Sequence, residues 1–162
     1  HGGATNFGII QTEYDRYRVR KGLDKRSVEH IEMSEVEEIY EFSYWRASRA
    51  AFLSEPLAFV VFDTAVNFGV GRSNDFLNQA FGYPSSTVWN DKVSGRIHNA
   101  NQAEIATAVV AMRMEYRGRR VVTEPSQAKF LKGWLNRDRD ILNSILSILG
   151  KPPVPPARPE LE

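Results

Sequence analysis

The chain has 162 residues, 42% of them hydrophobic and 25% charged, with a formal net charge of +1. That length supports one real core or two small fused units, and the balanced charge gives no field that selects a polyanion. The lack of cysteine excludes disulfides and thiolate metal sites, three dispersed histidines (His1, His30, His98) make no zinc spacing, and no apolar run reaches the roughly 18 residues of a membrane span.

In chain order, Gly2-Gly3 followed by Thr5-Asn6 reads by itself as a turn, glycine allowing positive φ and asparagine closing it. Any β structure is expected to be small and near this end. Thr12 to Arg20 reads as a short helix capped by Thr12, with Asp15 at the capping-box position and Gly22 as the stop. Ser34-Glu35-Val36-Glu37 forms a second capping box, after which Val36, Ile39, Tyr40 and Tyr44 recur at helical spacing to an end near Trp45. Pro56 then opens an apolar run from Leu57 to Phe62, closed by Gly69 and Gly71; the Pro start and the length favour a central core helix over a strand.

Ser73 to Phe81 forms a further helix before Gly82, and Tyr83 to Asn99 is turn-rich. Asn99 or Asn101 starts a longer helix through Val109 and Tyr116, weakened at Gly118. Pro125 begins the last helix, whose stripe of Phe130, Leu131, Trp134, Leu135, Leu142 and Ile145 runs on to Gly150. Lys151 to Pro156 reads as a polyproline linker or disordered tail. The absent initiating Met and the terminal Leu161-Glu162 point to a processed or truncated chain.

Among residues able to carry chemistry, Asp63 and Asn67 lie four apart on an apolar helix, where an unpaired polar group costs about 1–3 kcal/mol. Structural hydrogen bonding is the stronger reading of the pair, and a sugar-binding face the alternative. Glu13 and Asp15 are accounted for by helix capping and solvation. Tyr44, Trp45, Trp89 and Trp134 offer ring faces to the apolar face of a pyranose; Trp89, in the polar loop, is best placed to be exposed, and Trp134 sits on a core stripe.

Several separated segments carry a family resemblance in order: Gly2-Gly3 with Thr5-Asn6-Phe7-Gly8-Ile9; Tyr17-Arg18-Val19-Arg20-Lys21-Gly22; Glu38-Ile39-Tyr40 with Tyr44-Trp45; Phe62-Asp63-Thr64-Ala65-Val66-Asn67-Phe68-Gly69; Phe76 to Gly82; and Lys132-Gly133-Trp134-Leu135-Asn136-Arg137. The first resembles the signature of glycoside hydrolase family 108, lysozyme-like muramidases, the next two continue the resemblance to that family, and the three from Phe62 onward resemble the peptidoglycan-binding region that follows its catalytic domain. The resemblance implies a mainly α, lysozyme-like helical fold with little β structure near the N-terminus. It also implies cleavage of the glycan strand of peptidoglycan without metal or cofactor, at the cell wall, after delivery by a phage lysis system or export.

Glycoside hydrolysis needs a proton donor and a group that places water or stabilises the developing cation. By the resemblance, Thr5 matches the threonine that positions the attacking water, while the acid Glu and its partner Asp are expected upstream of His1, which itself replaces the family's usual Pro. Asn6, Tyr44, Trp45, Asp63 and Asn67 are the expected substrate contacts. The expected organisation is a catalytic region at 1–56, a peptidoglycan-binding region at 57–150 sharing its core, and a Pro-rich tail with tag scar at 151–162. A monomer is favoured, nucleic acid is ranked last as a partner, and the alternative function is a non-catalytic cell-wall-binding or structural module of a phage or secretion system.

Overall fold

Residues Thr5–Asn6 (β1) and Ile9–Ile10 (β2) pair antiparallel, Thr5 opposite Ile10 and Asn6 opposite Ile9, in a computed structural model that describes residues 3–156. His1 and Leu161-Glu162, the expected tag scar, therefore lie outside the described residues. The hairpin turn is Phe7-Gly8, and φ is positive at both (49° and 76°), as the primed turns that match strand twist require. β2 runs directly into α1 (Gln11–Arg20), with the Gln11 amide donating to the Ala4 carbonyl at 3.1 Å. The helix thus begins at Gln11, with Ile10 at the N-cap position and no Thr12 cap; Asp15 instead accepts from the Gln11 side chain at 2.8 Å.

A 3-10 turn at Val28–His30 leads to α2 (Met33–Tyr40). The capping box here is Glu32 with Glu35, two residues before the expected Ser34 box, and the Glu32 amide donates to Glu35 Oε2 at 3.0 Å. The chain continues into a wide π-helical segment, Glu41–Arg46, holding Tyr44 and Trp45. Ile9, Tyr14, Tyr17, Val28, Ile31, Val36 and Ile39 form the apolar centre of this first compact unit, which ends at Ala47.

The second unit starts at Ser48. Its first long helix, α3 (Leu57–Phe68), follows Pro56 and ends at Gly69 (φ 85°), as the Pro start and glycine stop predict. Leu57, Ala58, Val60, Val61 and Ala65 are buried, while Phe59 turns outward. Helix α4 (Val70–Ala80) starts before the expected Ser73, so Gly71 lies inside it and does not close α3; a Cβ there would stand 3.2 Å from Thr87, letting the 83–90 loop pack close. That loop is fastened down by α4: Asp75 accepts from Ser85 and the Ser86 amide, and Asn78 donates to the Ser86 and Val88 carbonyls.

Within the stretch expected to be turns, Asn90 caps a short helix, α5 (Asp91–Ile97), by accepting from the Lys92 amide at 3.0 Å. Asn101 caps α6 (Gln102–Thr123), which runs through Gly118 without a break. After a 3-10 turn at Pro125–Gln127 comes α7 (Ala128–Ile148). Helices α4 and α6 pack on α3, and α7 lies along α6. Residues 151–156 are extended but held, since Asn143 exchanges two hydrogen bonds with Val154 on α7's flank. The described residues are mainly α-helical, with one small hairpin near the N-terminus. Among the described residues no helix is long and apolar enough to cross a membrane, and no cluster of three or more His, Asp and Glu is placed to hold a metal ion.

Candidate functional site

Successive residues of a strand face opposite sides, so the hairpin sends Thr5 and Asn6 in different directions. Asn6 turns inward and donates to the carbonyls of Val28 and Glu29, both at 3.3 Å, which locks the hairpin to the 3-10 turn. Thr5 is exposed, its hydroxyl donating to the Gly3 carbonyl at 3.3 Å. At the turn, Tyr40 donates to the Phe7 carbonyl at 2.8 Å, and a Cβ on Gly8 would meet the same phenol oxygen at 2.8 Å. The Thr-Asn-x-Gly-Ile motif is thus a fixed hairpin with one exposed hydroxyl. Tyr40 also ties in the π-helical segment, its ring 5.6 Å from that of Tyr44. Burial raises the pKa of both phenols, so both stay protonated donors. Trp45 is half-buried.

Beneath this surface a polar cluster holds the unit. Glu35 accepts from Tyr14 (2.7 Å), Arg26 (2.7 Å), Arg18 (2.8 Å) and the Glu32 amide. Burial alone would raise its pKa, but the Tyr14 and Glu32 hydrogen bonds and the Arg26 charge outweigh it and hold the carboxyl below its usual range. A general acid needs the opposite shift, so Glu35 is held as a structural anion. Tyr17, buried and donating to Glu38, is pushed up to about 12.

Asp63 and Asn67 belong to the second unit. Asp63 Oδ2 accepts from Arg113 at 2.8 Å and from Arg137 at 2.9 Å, and Oδ1 accepts a second, very short bond from Arg137. Arg113 reaches on to Asp138 at 2.8 Å, as does Arg117 at 2.6 Å. Burial pushes the Asp63 pKa up, yet the arginines more than reverse it and keep the carboxylate ionised. Both Asp63 oxygens are therefore engaged inside the unit, which is the arrangement that structural pairing of this residue predicts. Asn67 donates to the Asp63 carbonyl at 2.8 Å and faces a half-open cavity of about 270 Å³ lined with Phe68, Tyr116, Arg117, Arg120, Gln127 and Trp134. Trp134 is thus half-buried at a cavity wall and not sealed in the core. Trp89 is also half-buried, beneath the Arg49 guanidinium at 4.4 Å and donating to Ser94.

Sequence reasoning gave Tyr40 no bracing role and did not single out Arg113 or Asp138. The one local signal was on α6, where Arg113 and Arg117 continue the buried face of Ala106, Val109 and Val110; a guanidinium at a core position demands a buried anion.

A solved structure titled "Structure of Brucella abortus SagA" superposes with a TM-score of 0.73 at 21% identity, covering 90% of this chain and 81% of that one. No curated protein matches the chain. Residues 1–69 match the family model of glycosyl hydrolase 108, a span that includes the hairpin, Tyr40, the π-helical segment and all of α3. Over that span, which is less than half of its length, the chain is similar to the glycosyl hydrolase 108 family.

Proposed function

We propose that this chain is part of a muramidase that hydrolyses the glycan strand of peptidoglycan beside N-acetylmuramic acid. The observation that carries the proposal is the family match over residues 1–69, with the matched motif folded as a braced hairpin that leaves the Thr5 hydroxyl exposed. In this reading Thr5 orders the attacking water, and the proton donor Glu and its partner Asp precede His1. Tyr44 and Trp45 supply ring faces to the sugar. A positioning hydroxyl works only if it is held still, and the Asn6, Gly8 and Tyr40 contacts support that role. The second unit is assigned to wall binding, with Asn67 as a contact and Asp63 as the support behind it.

The test is mass analysis of purified peptidoglycan digested with the chain extended upstream of His1. New reducing ends on N-acetylmuramic acid support the proposal. Reducing ends on N-acetylglucosamine, or free stem peptides, assign a different bond and overturn it.

A further inference from the structure

The cavity in the second unit is built from two of the sequence segments singled out above: Asn67 and Phe68 come from Phe62 to Gly69, and Trp134 from the Gly-Trp-Leu-Asn-Arg stretch. Through one of its lining residues, Arg117, it adjoins a buried charged cluster. Three guanidiniums, Arg113, Arg117 and Arg137, meet two carboxylates, Asp63 and Asp138, leaving the cluster one positive charge in excess. Arg117 carries that charge to the cavity wall. It is 6% exposed, lies 4.4 Å from the centroid of the Phe68 ring and 5.2 Å from that of Trp134, and spends Nε and Nη2 on Asp138. Its Nη1 has no acceptor among the described residues. Arg120 adds an exposed guanidinium at the rim, and Asn67 and Gln127 add amides.

A desolvated cation with a spare donor and aromatic flanks selects a carboxylate joined to a compact apolar body. A cavity of this size admits a fragment and not a polymer. In wall glycan the lactyl carboxyl of muramic acid is consumed in the amide bond to the stem peptide, so the free carboxylates lie along the stem. We infer that this cavity binds a carboxylate-bearing portion of the peptidoglycan stem peptide, so that the second unit reads the peptide and not the sugar. The inference rests on peptidoglycan being the substrate of the proposed function.

The test uses the full chain and follows the three tryptophan indole NMR signals, with Trp134→Phe identifying one of them. Four probes are titrated: a disaccharide-tetrapeptide, the free tetrapeptide, the same tetrapeptide with its carboxylates amidated, and chitotetraose. Binding of the first two is expected to move the Trp134 signal, while amidation or Arg120→Gln weakens it about tenfold, the loss of one charge-assisted hydrogen bond. Arg120 is exposed, so its variant should keep the fold, and unchanged Trp45 and Trp89 signals verify that; Gln127→Ala gives a second, uncharged perturbation of the same wall. Equal binding of the amidated tetrapeptide, preference for chitotetraose, movement of Trp89 or Trp45 in place of Trp134, or no binding at all overturns the inference. Glycan cleavage by the upstream-extended protein is measured separately. Cleavage without stem binding removes this inference alone, and stem binding without cleavage removes the muramidase reading alone.

Discussion

Gly8 is the residue on which the hairpin depends most. Its φ of 76° costs an L-residue roughly 1–2 kcal/mol, and any side chain there also collides with the Tyr40 hydroxyl. Gly8→Ala is expected to destabilise the first unit by about 2 kcal/mol in urea denaturation, the sum of that strain and a disturbed hydrogen bond. Gly3→Ala, with nothing within 4 Å of the added carbon, should be close to neutral. A Gly8 effect no larger than that of Gly3 would show that the hairpin is not fixed as described. In the second unit Asp138 has a fully buried side chain and holds two arginines. Asp138→Ala leaves both charges short of their partner and should cost about 3–5 kcal/mol, the range for halving a buried ion pair; a loss under about 1 kcal/mol, the surface-pair range, would contradict this.

Helix α2 and the segments around it depend on an ionised Glu35. Its folded-state pKa lies below the unfolded value, so its contribution is complete above about pH 4.3 and is lost as pH falls through the folded value. Asp63 acts in the same direction in the second unit. The thermal midpoint of the chain is therefore expected to hold from pH 7 to about 5 and to fall below about 4. The gap between the wild type and Glu35→Gln should narrow over that fall, whereas a gap that stays constant to low pH would place the stabilisation elsewhere.

The same elements show what the sequence makes legible. Pro56, Gly69, Asn101 and Gly150 act through their own backbone or the next turn, so their positions mark helix ends directly. Helix α5 escapes because Asn90 and Gly95 are common to turns and short helices, and only Val93 and Ile97 show its buried face. Thr12 loses its capping role because the hairpin delivers the chain already aligned at Gln11, a tertiary effect with no local sign. Asp63 announces its need for partners, but Arg113 and Arg137 lie 50 and 74 positions away, beyond the reach of any periodicity. The cavity is illegible for the same reason, since α3, α6 and α7 each supply part of it.

For the whole molecule, two compact units, 1–47 and 48–162, stand where the sequence suggested a functional division at 56/57 with a shared core. Helix α3 lies in the second unit while its sequence lies inside the 1–69 family match, so the family segment and the packing unit do not share a boundary. The central claim is that Thr5, on its braced hairpin, places the attacking water. The most direct measurement is the rate of muramic-acid reducing-end release by the upstream-extended protein and by its Thr5→Ala variant, with wall pelleting recorded for both. The account predicts a fall of about a hundredfold or more with pelleting unchanged, as expected when a reacting water loses its orientation. Equal rates for the two proteins would remove Thr5 from the mechanism, and pelleting without release by either would leave a wall-binding module in place of an enzyme.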